Sequence, residues 1–501
     1  GIMFIKSLKV ENFKGFSNEN NYLEFNIPNG NDVGSGLNIF IGENNCGKST
    51  IFEAIDFLRN KSKKSESFLK YKNEIGEQLH DASVELEFCG NIESVIDNFA
   101  QPNKINVFKS RIYKCENEIS NLKLKRSTYN SKIIELWNKE SFEYKNESGL
   151  DAALQKIFET NFIWADTNPN DEASFGTTTI CGYLLSEIVK THKETNEYKD
   201  FTDKFHNIFN SQESGLRKEL LIVEDKIKQV FESQFGLAKI AFEFEELKIE
   251  SFFKNMKIMV DDGINVPMTE KGNGMQRSVA LALIQVYAEM IAYDSDLNLT
   301  KPFYLFIDEP EICLHPKGQN KLFDALLKIS KHKQVFVTTH SPYFLSSPYL
   351  KNIGLYIFKK SDHKNNIEAA KLNYLFPWSP TWGELNFKAY DLPTVDLHNE
   401  LYGFLQESSE QASLKKFDDW LVVHGANKNK NWSKEINGKL ITEAVTLMTF
   451  VRNHIHHPEN LIMKSNSYNF DELSNSINQM ISLIEKLKGS NVMEPVDSIR
   501  A

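Results

Sequence analysis

Gly42-Glu43-Asn44-Asn45-Cys46-Gly47-Lys48-Ser49 sets two glycines, a lysine and a hydroxyl in the spacing G-x-x-x-x-G-K-[ST], with Thr50 following. Backbone N–H groups of such a loop, at the start of a helix, bind phosphate oxygens. Lys48 would meet the β- and γ-phosphates of a nucleotide and the Ser49 hydroxyl a Mg²⁺ ion. Farther on, the apolar run Phe303 to Ile307 ends in Asp308-Glu309-Pro310. There Asp308 can reach the Mg²⁺ shell, while Glu309 can orient and deprotonate water. A second apolar run ends in Thr338-Thr339-His340-Ser341-Pro342, where the imidazole of His340 could sense a γ-phosphate or hold water. Between them, Lys271-Gly272-Asn273-Gly274-Met275 opens a helix and makes Asn273 and Gly274 a second phosphate-binding surface.

Each motif needs an element to aim it. Residues 4–10 alternate as a strand, and Leu37 to Ile41 is a buried strand that breaks at Gly42 before a helix from Thr50 to Leu58. Alternation over 82–88, 107–114 and 122–128 predicts an antiparallel patch. Helix-spaced apolar residues between about Thr177 and Gln234 (Ile188, Phe201, Phe205, Phe209, Leu220, Ile227, Val230) predict a helical hairpin turning near Ser211 to Gly215. A strand over Lys239 to Phe244, a helix over Met275 to Tyr293, and the order strand, helix, strand from Phe303 to Thr338 complete an α/β pattern. From about Leu397 the periodicity is helical, with the polar stretch Gly425 to Lys439 expected as a loop.

Composition sets the limits. The chain has 501 residues, 41% of them hydrophobic and 25% charged, which is globular, and its formal charge is −10. An acidic protein cannot coat nucleic acid with its whole surface, so any such contact is through local basic patches. No apolar run approaches the roughly 20 residues that span a bilayer. Past Gly1-Ile2, which read as a cloning remnant, the chain enters a strand at once, and a cytoplasmic protein without membrane contact is expected. The five scattered cysteines fit neither a zinc site nor a disulfide scaffold.

Lys48 and Asp308 lie 260 positions apart (308 − 48), far more than one nucleotide-binding half needs, so a large segment is inserted between them. With that spacing, Gly42 to Thr50, Gly272 to Ser278, Asp308-Glu309-Pro310-Glu311 with Leu314-His315-Pro316, and His340-Ser341-Pro342 together resemble the ABC-type ATPase heads of SMC, RecF and OLD-like proteins. The resemblance covers residues 3 to about 345. It implies an α/β fold: an ABC-type P-loop ATPase head with an inserted short helical (coiled-coil) arm and a mainly helical C-terminal domain. The implied division is an N-terminal lobe over 3–176, the arm over 177–235, a C-terminal lobe over 236–345, and a domain over 346–501 for assembly or effector docking. It further implies ATP and Mg²⁺ as cofactors, with Glu309 and His340 as catalytic groups and Ser49 and Asp308 as metal ligands. The nucleotide set is Gly42, Asn44, Asn45, Gly47, Lys48, Ser49 and Thr50. Two heads would sandwich ATP in a homodimer or higher oligomer, so that Asn273 and Gly274 act on the partner's nucleotide. Asn273 stands where a serine is common in such heads, and Gln78 is the glutamine on offer for a Q-loop.

The tail narrows the resemblance. No Asp-x-Asp pair of a TOPRIM nuclease follows residue 345. Instead Trp382-Gly383-Glu384-Leu385-Asn386, Leu392-Pro393-Thr394 and His398-Asn399-Glu400-Leu401-Tyr402 resemble the Septu-type ATPases of bacterial antiphage operons, also found beside retrons, with the PARIS-type ATPase more distant. That implies a sensor or scaffold subunit controlling a separate effector nuclease, of HNH type. Arg452-Asn453-x3-His457 resembles the R-x4-H motif of HEPN ribonucleases, in which the guanidinium would steady a phosphate and the imidazole move protons. The same residues, just before Pro458, also suit a helix C-terminus. A self-contained ribonuclease toxin and an SMC-like DNA-repair ATPase are therefore the alternatives. Against the latter, the arm has at most about 30 residues per helix, or roughly 45 Å.

Overall fold

The computed structural model describes residues 3–19, 21–61, 65–147, 149–165, 192–245, 257–291, 301–341, 345 and 348–490. By packing, the chain divides into one unit of residues 1–165 with 295–501 and a second of residues 166–294. Each is taken by itself.

The first unit is built on a six-stranded sheet in the order Lys364–Ala369, Gly354–Ser361, Leu37–Ile41, Val335–Thr339, Phe303–Asp308, Glu159–Ile163. The last five run parallel and the first pairs antiparallel at the edge. Leu37–Ile41, Phe303–Asp308 and Val335–Thr339 are buried at every residue. Strands covered on both faces read as unbroken apolar runs, which is why the sequence shows them plainly. Phe40, Phe52, Phe306 and Phe336 pack in series through this core, Phe52 edge-on to Phe306 and the Phe306 and Phe336 rings stacked 4.8 Å apart.

A second, antiparallel sheet runs in the order Tyr22–Glu24, Met3–Glu11, Ser83–Gly90, Ser120–Ser127, Glu135–Asn138, Glu143–Asn146. The Gln334 side chain links the two sheets, accepting from Ile5 N at 2.7 Å and donating to Ile5 O at 2.6 Å, where the first strand is bulged. The patch expected over 107–114 is in fact mainly the helix Ile105–Arg111, with only Tyr113–Lys114 in the sheet. Phe108 is its one fully buried residue, so a single anchor, not alternation, sets that segment.

The sheet also extends past the expected boundary at 345, because Gly354–Ser361 pairs with Leu37–Ile41. Beyond it lie the helices Trp382–Tyr390, Val395–Ser408, Leu414–Val423, Leu447–His456 and Phe470–Gly489. Their core includes Leu397, Leu401, Phe417, Phe450, Ile477 and Ile484. The stretch expected as a loop over 425–439 instead begins a β-hairpin of Lys430–Ile436 and Lys439–Val445. Its turn, Asn437-Gly438, has φ of 52° and 76°, the left-handed pair that a two-residue hairpin turn demands.

In the second unit, the helices Asn196–Asn210 and Gly215–Phe235 form a hairpin; residues 177–191, including Ile188, lie outside the described residues. Ser214 caps the second helix, its hydroxyl accepting from Arg217 N at 3.0 Å. The strand expected over Lys239 to Phe244 is not formed. Those residues are held by helix side chains instead, Phe242 N donating to Glu224 at 2.7 Å and Arg217 to Phe242 O at 2.8 Å. The helix Asn273–Ile291 follows. Among the described residues no helix is long and apolar enough to cross a membrane.

Candidate nucleotide site

Three of the parallel strands end side by side, and their C-terminal ends carry Gly42, Glu309 and His340. Crevices at the carboxyl ends of parallel strands are where such sheets bind ligands. Gly42 allows the loop to leave the sheet closely, since a Cβ there would lie 2.4 Å from Phe358 O. Gly47, at φ 87°, turns the chain into the helix Lys48–Asn60, and a Cβ on it would meet Asn365 Nδ2 at 2.5 Å. Asn44 and Asn45 are exposed at the loop's rim, Asn45 with φ 63°. Lys48 is buried and donates to Gly42 O at 2.8 Å and Glu43 O at 2.7 Å, which points its ammonium into the loop. Burial foremost pulls its pKa down, against nearby Cys46, Glu309, Asp308 and Glu311.

Ser49 Oγ donates to Asp308 Oδ1 at 2.8 Å, joining residues 259 positions apart. Thr338 Oγ1 donates to the same oxygen, and Ala165 N reaches Asp308 Oδ2 at 3.3 Å. Two hard oxygen donors held together beside a phosphate loop fit Mg²⁺. Ser49 and Asp308 would hold the ion, whose chemistry is to neutralise phosphate charge.

Glu309 stands in the left-handed region at φ 49°, where a side chain other than glycine is strained, and its N–H is secured by Thr338 O at 3.1 Å. Burial foremost, then Asp308, raises its carboxyl pKa. His340 Nδ1 lies 3.2 Å from Glu309 Oε1 and 3.4 Å from Glu311 Oε1. Glu311 also accepts from His340 N at 3.0 Å and Thr339 Oγ1 at 2.9 Å. It thus fixes the backbone that carries the imidazole, a role no reading of its position in Asp-Glu-Pro-Glu supplied.

Asn365 was also not foreseen. It comes from the edge strand, donates its N–H to Gly15 O at 2.9 Å, and packs its amide against both Gly15 and Gly47. The Gly15 of Asn12-Phe13-Lys14-Gly15-Phe16 was the available signal, since a Cβ there would sit directly on that amide.

Other expected residues lie elsewhere. Asn273 and Gly274 open the helix Asn273–Ile291 in the second unit, both exposed. Gln78 is turned to its own loop, its amide facing Lys70 O at 3.4 Å. Arg452 donates to Asn453 Oδ1 at 3.2 Å, and His457 closes the helix Leu447–His456, its N–H bonded to Asn453 O and its Nδ1 3.0 Å from Glu459.

A glycine loop, an acidic strand end and a histidine strand end thus meet at the carboxyl edge of one largely parallel sheet, as in a P-loop ATPase domain. The chain belongs to the AAA ATPase domain family, whose profile matches residues 3–345. It is 28% identical over 329 residues to the Old nuclease of Escherichia phage P2, covering 62% of this chain and 54% of that protein. Endonuclease GajA of Bacillus cereus (strain HuB5-5) is 21% identical, with 69% and 59% covered. The Retron Ec83 probable ATPase of Escherichia coli is 21% identical, with 71% and 72% covered. The chain therefore spans little more than half the length of the two nucleases. Among solved structures, the Smc head domain with an extended coiled coil from Pyrococcus furiosus matches at a TM-score of 0.40 and 13% identity, covering 74% of this chain and 96% of that one.

Proposed function

We propose that this chain binds and hydrolyses ATP as the sensor or scaffold subunit of a bacterial antiphage defence complex, with ATP-driven head engagement controlling an effector nuclease. The observation that carries the ATPase reading is the contact of Ser49 with Asp308 beside the Glu309 and His340 pair. In this reading Lys48 and the loop N–H groups bind the phosphates. Ser49 and Asp308 hold Mg²⁺, Glu309 takes a proton from the attacking water, and His340 senses the γ-phosphate. The defence assignment is supported by the relatives, a retron ATPase among them. The Septu-type operon and an HNH partner are the finer form of the same proposal, with residues 346–501 as the docking region and the protein working in the cytoplasm.

The composite site follows from Asn273 and Gly274, which present a helix start that one head's own phosphate loop does not require. Lys48→Ala chains mixed with Gly274→Asp chains should recover roughly a quarter of the parental ATPase rate, because half the dimers are mixed and each keeps one intact site. No recovery, with mixed assembly confirmed by pull-down, would count against completion across chains.

Purified alone, the chain should leave nucleic acid intact. The tail lacks the Asp-x-Asp carboxylates of a TOPRIM nuclease, and His457 serves as a helix cap paired with Glu459. The assay incubates tRNA, total RNA and duplex DNA with the protein, with and without ATP and Mg²⁺, beside an Arg452→Ala/His457→Ala variant. Cleavage that disappears in the folded, ATP-binding variant would make the HEPN-like toxin the primary reading. An uncut result together with loss of operon-partner binding in the variant would mark the tail as a docking surface.

A further inference from the structure

Tyr390 is the last residue of the helix Trp382–Tyr390, well outside the motifs that form the nucleotide site. Yet its hydroxyl donates to Thr339 O at 3.2 Å, and the Gly42 backbone lies beside the same phenolic oxygen. One side chain therefore bonds the residue just before His340 and stands next to the first residue of the glycine loop. Burial foremost holds the phenol far above its usual range, so it stays protonated and remains a donor.

The helix behind Tyr390 is anchored in the C-terminal region. Gly383 abuts the helix Val395–Ser408 so closely that an added Cβ would lie 3.0 Å from Leu397 Cβ. Glu384 is fully buried, accepts from Leu375 N at 2.7 Å and from Ser379 Oγ, and lies 3.1 Å from Lys388 Nζ. The helix ends at Asp391 with φ 50°, whose N–H bonds back to Phe387 O, so the terminus carrying Tyr390 is closed and stiff. A packed helix moves as a body, so a small displacement at either loop would be passed on rather than absorbed locally.

We propose that Tyr390 is a positioning residue that keeps the phosphate loop and the His340 loop in register and transmits their nucleotide-dependent shift to the C-terminal helices. The inference rests on the reading of this site as an ATP site. It assigns the link between nucleotide and effector-docking region to one hydroxyl.

The test compares the full-length parent, Tyr390→Phe and Gly383→Ala, the first removing only the hydroxyl and the second pushing the helix away from Leu397. Three quantities are read: ATP affinity, kcat for ATP, and hydrogen–deuterium exchange of residues 382–408 with and without ATP–Mg²⁺. In the parent, ATP should slow exchange in that segment. Tyr390→Phe should bind ATP within about threefold of the parent, lose roughly tenfold in kcat, the scale of one hydrogen bond, and lose the ATP-dependent protection. Gly383→Ala, which displaces the same stiff helix and so its terminal Tyr390, should lose part of kcat as well as much of the protection. Parent-like kcat and protection in Tyr390→Phe, or no ATP effect on 382–408 in a parent that demonstrably binds ATP, would overturn the proposal. A folded parent that binds no ATP would overturn the nucleotide reading itself, and this inference with it.

Discussion

Lys48→Ala should abolish measurable ATP binding, whereas Glu309→Gln should bind ATP as the parent does. Lys48 is buried, donates into the loop at Gly42 O and Glu43 O, and is the ammonium placed among the loop's phosphate-binding N–H groups. Removing a desolvated charge that meets phosphate costs roughly a hundredfold or more in affinity. Glu309 is different in kind. Its carboxylate lies past the end of the sheet, 3.2 Å from His340 Nδ1 and outside the glycine loop. Replacing its carboxylate with an amide removes the proton acceptor and leaves shape and hydrogen bonding nearly intact. Isothermal titration of both purified variants with ATP in Mg²⁺ checks the split. Equal loss of affinity in the two would contradict the division of labour between these residues.

Glu384→Ala should cost about 3 kcal/mol or more in the stability of the C-terminal region, because it strands the buried Leu375 N–H and Ser379 hydroxyl and leaves a cavity. Glu384→Gln, which keeps an acceptor and the volume, should lose far less. Four of the six tryptophans, Trp378, Trp382, Trp420 and Trp432, lie in this region, so urea unfolding followed by tryptophan fluorescence reports chiefly on it. A Glu384→Ala midpoint unchanged from the parent would show that the carboxylate does not organise the turn before the helix.

How much of this was legible beforehand depended on the kind of strand and on distance along the chain. Leu37 to Ile41, Phe303 to Ile307 and Val335 to Thr338 could be read because parallel strands buried on both faces leave apolar runs, each here ended by glycine, carboxylates or histidine. Residues 107–114 were misread as strand because Val107, Phe108, Ile112 and Tyr113 are all strand formers, whereas the one buried Phe108 anchors the helix Ile105–Arg111. The hairpin Lys430–Val445 was missed although Asn437-Gly438 marks it, because its outward strands are mostly exposed and carry no apolar face. For Asn365 the only sequence signal was Gly15, and for Tyr390 there was none. Asn365 packs on Gly47 from more than 300 residues away, through the edge strand paired with Gly354–Ser361, and Tyr390 bonds Thr339 from a helix beyond the motifs.

The site's chemistry is tested most directly by the pH dependence of single-turnover phosphate release, measured from pH 5 to 8 at saturating ATP in the parent and in Glu309→Gln. A general base works deprotonated, and burial raises the Glu309 carboxyl above its ordinary value. The parental rate should therefore climb with pH through an ionisation above the usual carboxylate range, and Glu309→Gln should lose that climb and run roughly a hundredfold or more slower. A variant that releases phosphate at the parental rate, with the same pH profile, would contradict the account of this site.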